Sequence, residues 1–150
     1  MKHTQYKSYE SAGSLTMTQP MTVSSGWSWV EEWAPTAARI ILGLVFVWFG
    51  ANELLQPHLW TGYVPLLTSD ATITVLLVQL HGGLLWLLAT ALIVGIAPRM
   101  AALISTLMMI EIILPLIILH GISDIVARDF GVLGLALATF GAAKQRLLLR

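Results

Sequence analysis

Five ionisable residues interrupt or border otherwise apolar stretches of this chain: Glu53, His81, Glu111, Arg128 and Asp129. An isolated charge is costly in hydrocarbon, so each of these groups needs a partner or a polar cavity. Imidazole titrates near neutral pH, and a histidine facing a carboxylate can hydrogen-bond a small ligand and exchange a proton with it. A guanidinium among carboxylates holds an anionic headgroup or keeps a neighbouring carboxylate ionised. The plainer reading is that polar side chains between membrane helices serve as adhesive, at about 0.6 to 2 kcal/mol per bond. Both readings stand for His81 with Glu111. For Glu53 with Arg128, structural pairing is the simpler account.

The elements that must position these residues are four apolar stretches, at 36–55, 72–96, 100–119 and 130–143. The first three approach the ~20 residues that cross a ~30 Å hydrocarbon layer. The fourth is too short alone and reaches that length only if its helix begins near Ile125, which takes in Arg128 and Asp129. With 57% hydrophobic and 11% charged residues, the chain is more apolar than a soluble domain can bury. The predicted fold is all-α, a transmembrane four-helix antiparallel bundle over 36–143. Residues 1–26, rich in Ser, Thr and Lys, read as a disordered cytoplasmic tail, and 144–150 as a short basic one. Between tail and bundle, Trp27, Trp29 and Trp33 precede Pro35 and suggest an interfacial anchor over 27–35.

Composition excludes several functions. The formal net charge is zero, which gives no electrostatic footprint for nucleic acid. Cysteine is absent, so the chain forms no disulfide, thiolate metal site or Cys-ligated cluster, and a redox role requires a bound cofactor. No phosphate loop, HExxH sequence, metal-spaced histidine set or Ser-His-Asp constellation is present. The first 35 residues lack the apolar run of a removable signal peptide, so the first membrane helix is expected to act as the targeting signal. Arg99, Lys144, Arg146 and Arg150 mark one side of the membrane, whereas the 56–71 connection has no Lys or Arg. Both termini are therefore expected in the cytoplasm.

Helical geometry converts spacing into depth and facing. Arg39, Phe46 and Glu53 recur every seventh residue on one stripe, beside Gly43 and Gly50 on the next, and this stripe is expected to face the bundle. Arg39 and Glu53 are roughly 21 Å apart along the axis, too far to neutralise each other. Arg39 is expected to reach lipid phosphate, Glu31 or Glu32. Glu111 lies about 16 Å from the cytoplasmic end of its helix, and His81 reaches a similar depth from the other face. A tight turn at 97–99 makes their helices neighbours, which predicts a hydrogen-bonded His81–Glu111 pair. Glu53 and Arg128 both fall within roughly 5 Å of the outer boundary and form the predicted second pair, with Asp129, Asp124 and His120 at the rim. Gln79 points about 200° away from His81 and is assigned outside the site. Pro115 frees a backbone carbonyl at Glu111 and is a candidate kink.

Three passages resemble the DoxX family of small four-helix membrane proteins: 39–50 running on to Pro57, 95–103, and 124–133 with Arg128-Asp129-Phe130-Gly131 as its most specific part. The likeness covers roughly 36–143. It implies a bundle in the bacterial or archaeal cytoplasmic membrane, associated with redox proteins; some members are subunits of thiosulfate:quinone oxidoreductases. At two positions the chain departs from the family pattern. Glu53 stands where relatives often carry Lys, and Leu85 where they carry an acidic residue.

Residues and resemblance together lead to an expected redox-associated accessory subunit, with a polar pocket for quinone or a similar small amphipathic ligand. Its site residues are His81, Glu111, Glu53, Arg128 and Asp129, without a metal or covalent cofactor. Expected partners are membrane lipids, redox proteins and a second copy of the chain. A carrier or channel subunit for a small solute or proton is the first alternative. A non-catalytic scaffold is the second.

Overall fold

A computed structural model of the chain describes residues 26–148 except 66 and 70, with side chains described over 27–143. Helix α1 spans Gly26–Leu55, α2 Thr72–Val94, α3 Pro98–His120 and α4 Asp124–Leu148, with two 3-10 turns, Pro57–Leu59 and Thr61–Tyr63, between α1 and α2. Apart from Gly26, the expected N-terminal tail lies outside the described residues.

Three boundaries differ from expectation. The tryptophan segment is not separate, because α1 runs unbroken through Pro35. Proline removes one backbone bond and frees the carbonyl of Glu31, but residues 31–34 are exposed, so that carbonyl stays solvated. The 30 residues of α1 reach about 45 Å, so roughly 15 Å of the helix projects beyond a ~30 Å hydrocarbon layer. The turn between α2 and α3 comes two residues earlier than expected. Gly95, at φ +86°, caps α2 by donating its N–H to the Ala91 carbonyl, and Pro98 opens α3, where its fixed φ suits a first helical position. At the C-terminus the backbone of 144–148 extends α4 rather than forming a separate tail. The start of α4 at Asp124 confirms that Arg128 and Asp129 belong to the fourth helix; an acidic residue in the first turn favours that start.

Packing is uneven around the ring. α1 lies most extensively on α2 and α3 on α4, while α1 with α4 and α2 with α3 meet more thinly. The α1–α2 seam is built on small residues. A Cβ at Gly50 would fall 2.7 Å from the Gly82 carbonyl oxygen, and one at Gly43 would fall 3.2 Å from that of Ala89. Glycine lets the two backbones approach where any larger residue would hold them apart. Around this seam the core gathers Leu42, Phe46, Leu85, Leu88, Leu92 and Met109. The expected inward stripe of α1 is observed, with Phe46 and Glu53 buried.

The outer surface carries Trp48, Leu80, Leu87 and Ile118 in exposed positions. All four helices are long and apolar enough to cross a membrane. The protein is a multi-pass integral membrane protein whose apolar helix faces contact lipid.

Candidate functional site

The close approach at Gly50 and Gly82 brings a carboxylate of α1 against an imidazole of α2. Glu53 follows Gly50 by about one turn, and His81 immediately precedes Gly82. A Cβ at Gly82 would lie 2.8 Å from Glu53 Cβ and 3.3 Å from its Oε2, so the glycine leaves the space Glu53 occupies. His81 Nδ1 and Glu53 Oε2 are 2.6 Å apart. An ionised carboxylate can only accept, so Nδ1 carries the proton and donates it. Glu53 is buried and its carboxylate fixes the plane of the ring.

The other ring nitrogen faces α3. His81 Nε2 stands 3.5 Å from Glu111 Oε2, which places the two groups in contact at charge-pair distance. That is longer than a good hydrogen bond, and Nε2 is covered without a hydrogen-bond partner. The expected His81–Glu111 proximity is therefore present, but the hydrogen bond is made to Glu53 instead. The Glu111 side chain is 65% exposed, in contrast to the buried Glu53.

The expected Glu53–Arg128 pair does not form among the described residues. Arg128 Nε donates to the buried Asp129 Oδ1 at 2.9 Å, and its guanidinium lies 4.9 Å from the Phe49 ring centroid. The reason is register. Because Gly50 is level with Gly82 and Gly43 with Ala89, the first turns of α2 extend past the end of α1. Depths counted from each helix end assume a common boundary, and here that assumption separated Glu53 from His81.

All five residues singled out in the sequence line one cavity of about 690 Å³. It occupies the end of the bundle remote from the α2–α3 turn, and most of its wall is apolar, with Phe46, Leu85 and Met109 on the inner side. The connection between α1 and α2 forms its roof. Trp60 packs edge-on against Phe49 at 5.8 Å, and Tyr63 tilts against His120 at 5.5 Å, so the roof reaches from α1 to α3. Thr74 Oγ1 donates to the Thr68 carbonyl at 2.8 Å and secures the connection to the start of α2. Trp60 and Tyr63 are wall residues that sequence reasoning did not single out. The concentration of aromatics in this charge-poor connection was the available signal.

Two expectations fall elsewhere. Gln79 is exposed on the outside of α2 and does not line the cavity. Arg39 packs against the α2–α3 turn, where a Cβ on Gly95 would come within 2.5 Å of Nη1. Among the described residues, no cluster of three or more His, Asp or Glu is arranged to hold a metal ion.

Comparison with protein-family models, curated proteins and solved structures finds no match to this chain. Its chemistry rests on the arrangement itself. An imidazole is held by a buried carboxylate on one side and faced by an exposed carboxylate on the other, within an apolar chamber. Such a row can orient a polar headgroup and pass a proton along it.

Proposed function

We propose that this protein is a membrane-embedded accessory subunit of a redox system that holds quinone or a similar small amphipathic ligand in its cavity, in keeping with its resemblance to the DoxX family. The observation that carries the reading is the His81 imidazole between Glu53 and Glu111 on the wall of an otherwise apolar chamber. Apolar walls with a few convergent polar groups suit a ligand that has a greasy body and a polar head. In this reading Glu53 orients His81, while His81 and Glu111 hydrogen-bond the head and exchange its proton. Arg128 and Asp129 hold the rim beside Phe49. The same reading places the bundle in a bacterial or archaeal cytoplasmic membrane with both termini inside, and includes redox-protein partners.

Titration of the purified protein with a short-chain quinone tests it. Quenching of tryptophan fluorescence and a rise in Tm are expected, and His81→Ala should remove both. Unchanged fluorescence and Tm, with the variant behaving like the parent, would sink the proposal.

A second reading is favoured by the exposure gradient along Glu53, His81 and Glu111. A buried carboxylate, an imidazole and an exposed carboxylate in sequence are what a proton path through a carrier subunit requires. Proton or solute flux in reconstituted vesicles, abolished by His81→Ala, would select this reading over binding alone. A scaffold role predicts neither ligand binding nor flux.

A further inference from the structure

The thinnest seam of the bundle coincides with an exposed part of the cavity wall. α2 and α3 are joined through only Gly95, Ile96 and Ala97, yet they pack far less extensively than α1 with α2 or α3 with α4. Along this seam Leu77, Leu80 and Leu84 from α2 and Glu111 from α3 line the cavity and are also exposed on the outside of the molecule. Leu80 is 62% exposed and the Glu111 side chain 65%. The axial end is roofed by the half-buried Trp60 and Tyr63, with Leu59 and Pro65 exposed beside them. The chamber thus communicates with the surroundings through a slot whose rim is leucine on one side and a carboxylate on the other.

At that rim stands the exposed Glu111 carboxylate, and the His81 imidazole lies behind it, its Nε2 covered and 3.5 Å from Glu111 Oε2. A polar head that passes the slot meets Glu111 before it meets His81.

We propose that the cavity is loaded sideways from the bilayer through the α2–α3 slot, by a lipid-soluble molecule with a polar ring as its head, which meets Glu111 first. This rests on the ligand-binding reading above and adds the route and the receiving residue. Leu77, Leu80 and Leu84 form the apolar side of the passage.

Carbodiimide labelling of the full chain in phosphatidylcholine vesicles tests the route independently of the ligand. A carbodiimide adds to a carboxyl group to leave a stable N-acylurea, which mass spectrometry locates by peptide. Lipid-soluble dicyclohexylcarbodiimide is expected to modify Glu111 about tenfold more than a water-soluble carbodiimide does, since apolar partition concentrates the former at the slot. Glu53, bonded to His81, should remain unmodified. Leu80→Trp, on an exposed position that the fold tolerates, should reduce Glu111 labelling by filling the slot. Equal labelling by the water-soluble reagent, or no labelling of Glu111 by either, would overturn sideways loading. The ligand is tested by protection. A decyl-substituted quinone should protect Glu111 from the lipid-soluble reagent. Absence of protection, with preferential lipid-side labelling intact, overturns the ligand reading and leaves the slot supported.

Discussion

Glu53 and Glu111 flank one imidazole but differ in what they do for the fold. Glu53 is buried and makes the short bond, so Glu53→Ala strands the Nδ1 proton donor inside the protein. Removing one partner of such a charged hydrogen bond costs about 1.5–3 kcal/mol, and we expect a lowered Tm in detergent. Glu53→Gln keeps an acceptor oxygen and should lose less than half as much. Glu111→Gln should leave Tm nearly unchanged, within about 0.5 kcal/mol, because an exposed group without a short bond contributes little stability. Its effect should fall on ligand affinity in the fluorescence titration instead. The nearness of His81 and Glu111 was legible because both sit mid-helix, where small errors in helix ends do not change the pairing. The partner of Glu53 was not legible, since a residue near a helix end inherits the full offset between neighbouring helices. Arg128 was misassigned for the same reason, and it bonds its neighbour Asp129 within its own helix instead.

The seam between α1 and α2 sets where the site can form. At Gly50 an added Cβ would meet Trp86 Cδ1 at 2.6 Å and the Gly82 carbonyl oxygen at 2.7 Å, and backbone cannot yield as a side chain can. Gly50→Ala should therefore push the helices apart, destabilise by about 1–3 kcal/mol and weaken the Glu53–His81 bond, measured by thermal unfolding together with ligand titration. Gly43→Ala should cost less. Its closest obstacle is the Ile93 side chain at 2.7 Å, which can change rotamer, although the Ala89 carbonyl at 3.2 Å sets a limit. The glycine stripe of α1 was readable from its seven-residue spacing, whereas its counterpart on α2, Gly82 with Ala89, emerges only from the antiparallel register. Helix existence was readable from apolar length. The exact ends depended on local chemistry at Gly95, Pro98 and Pro35, where left-handed backbone, a preset φ and solvated carbonyls decided the outcome.

At the scale of the molecule, four apolar spans with leucine, isoleucine and tryptophan on their outer faces require a bilayer. The protein should remain in the membrane pellet after an alkaline carbonate wash and be released only by detergent. Bundle architecture followed from the four apolar lengths and the tight connection between the second and third. The chamber did not, because its roof is assembled from the two 3-10 turns, and no periodicity announces how such a connection folds over helix ends. One asymmetry of the bundle has a mechanical consequence. α1 with α2 and α3 with α4 are each bound along an extensive seam, whereas the two pairs meet along thinner ones and share the compact Gly95–Ala97 link. The cheapest deformation is thus for the pairs to part like jaws pivoting about that link. Every intrahelical bond would survive the motion, and the jaws would gape widest at the far end, where imidazole and carboxylate wait on opposing sides.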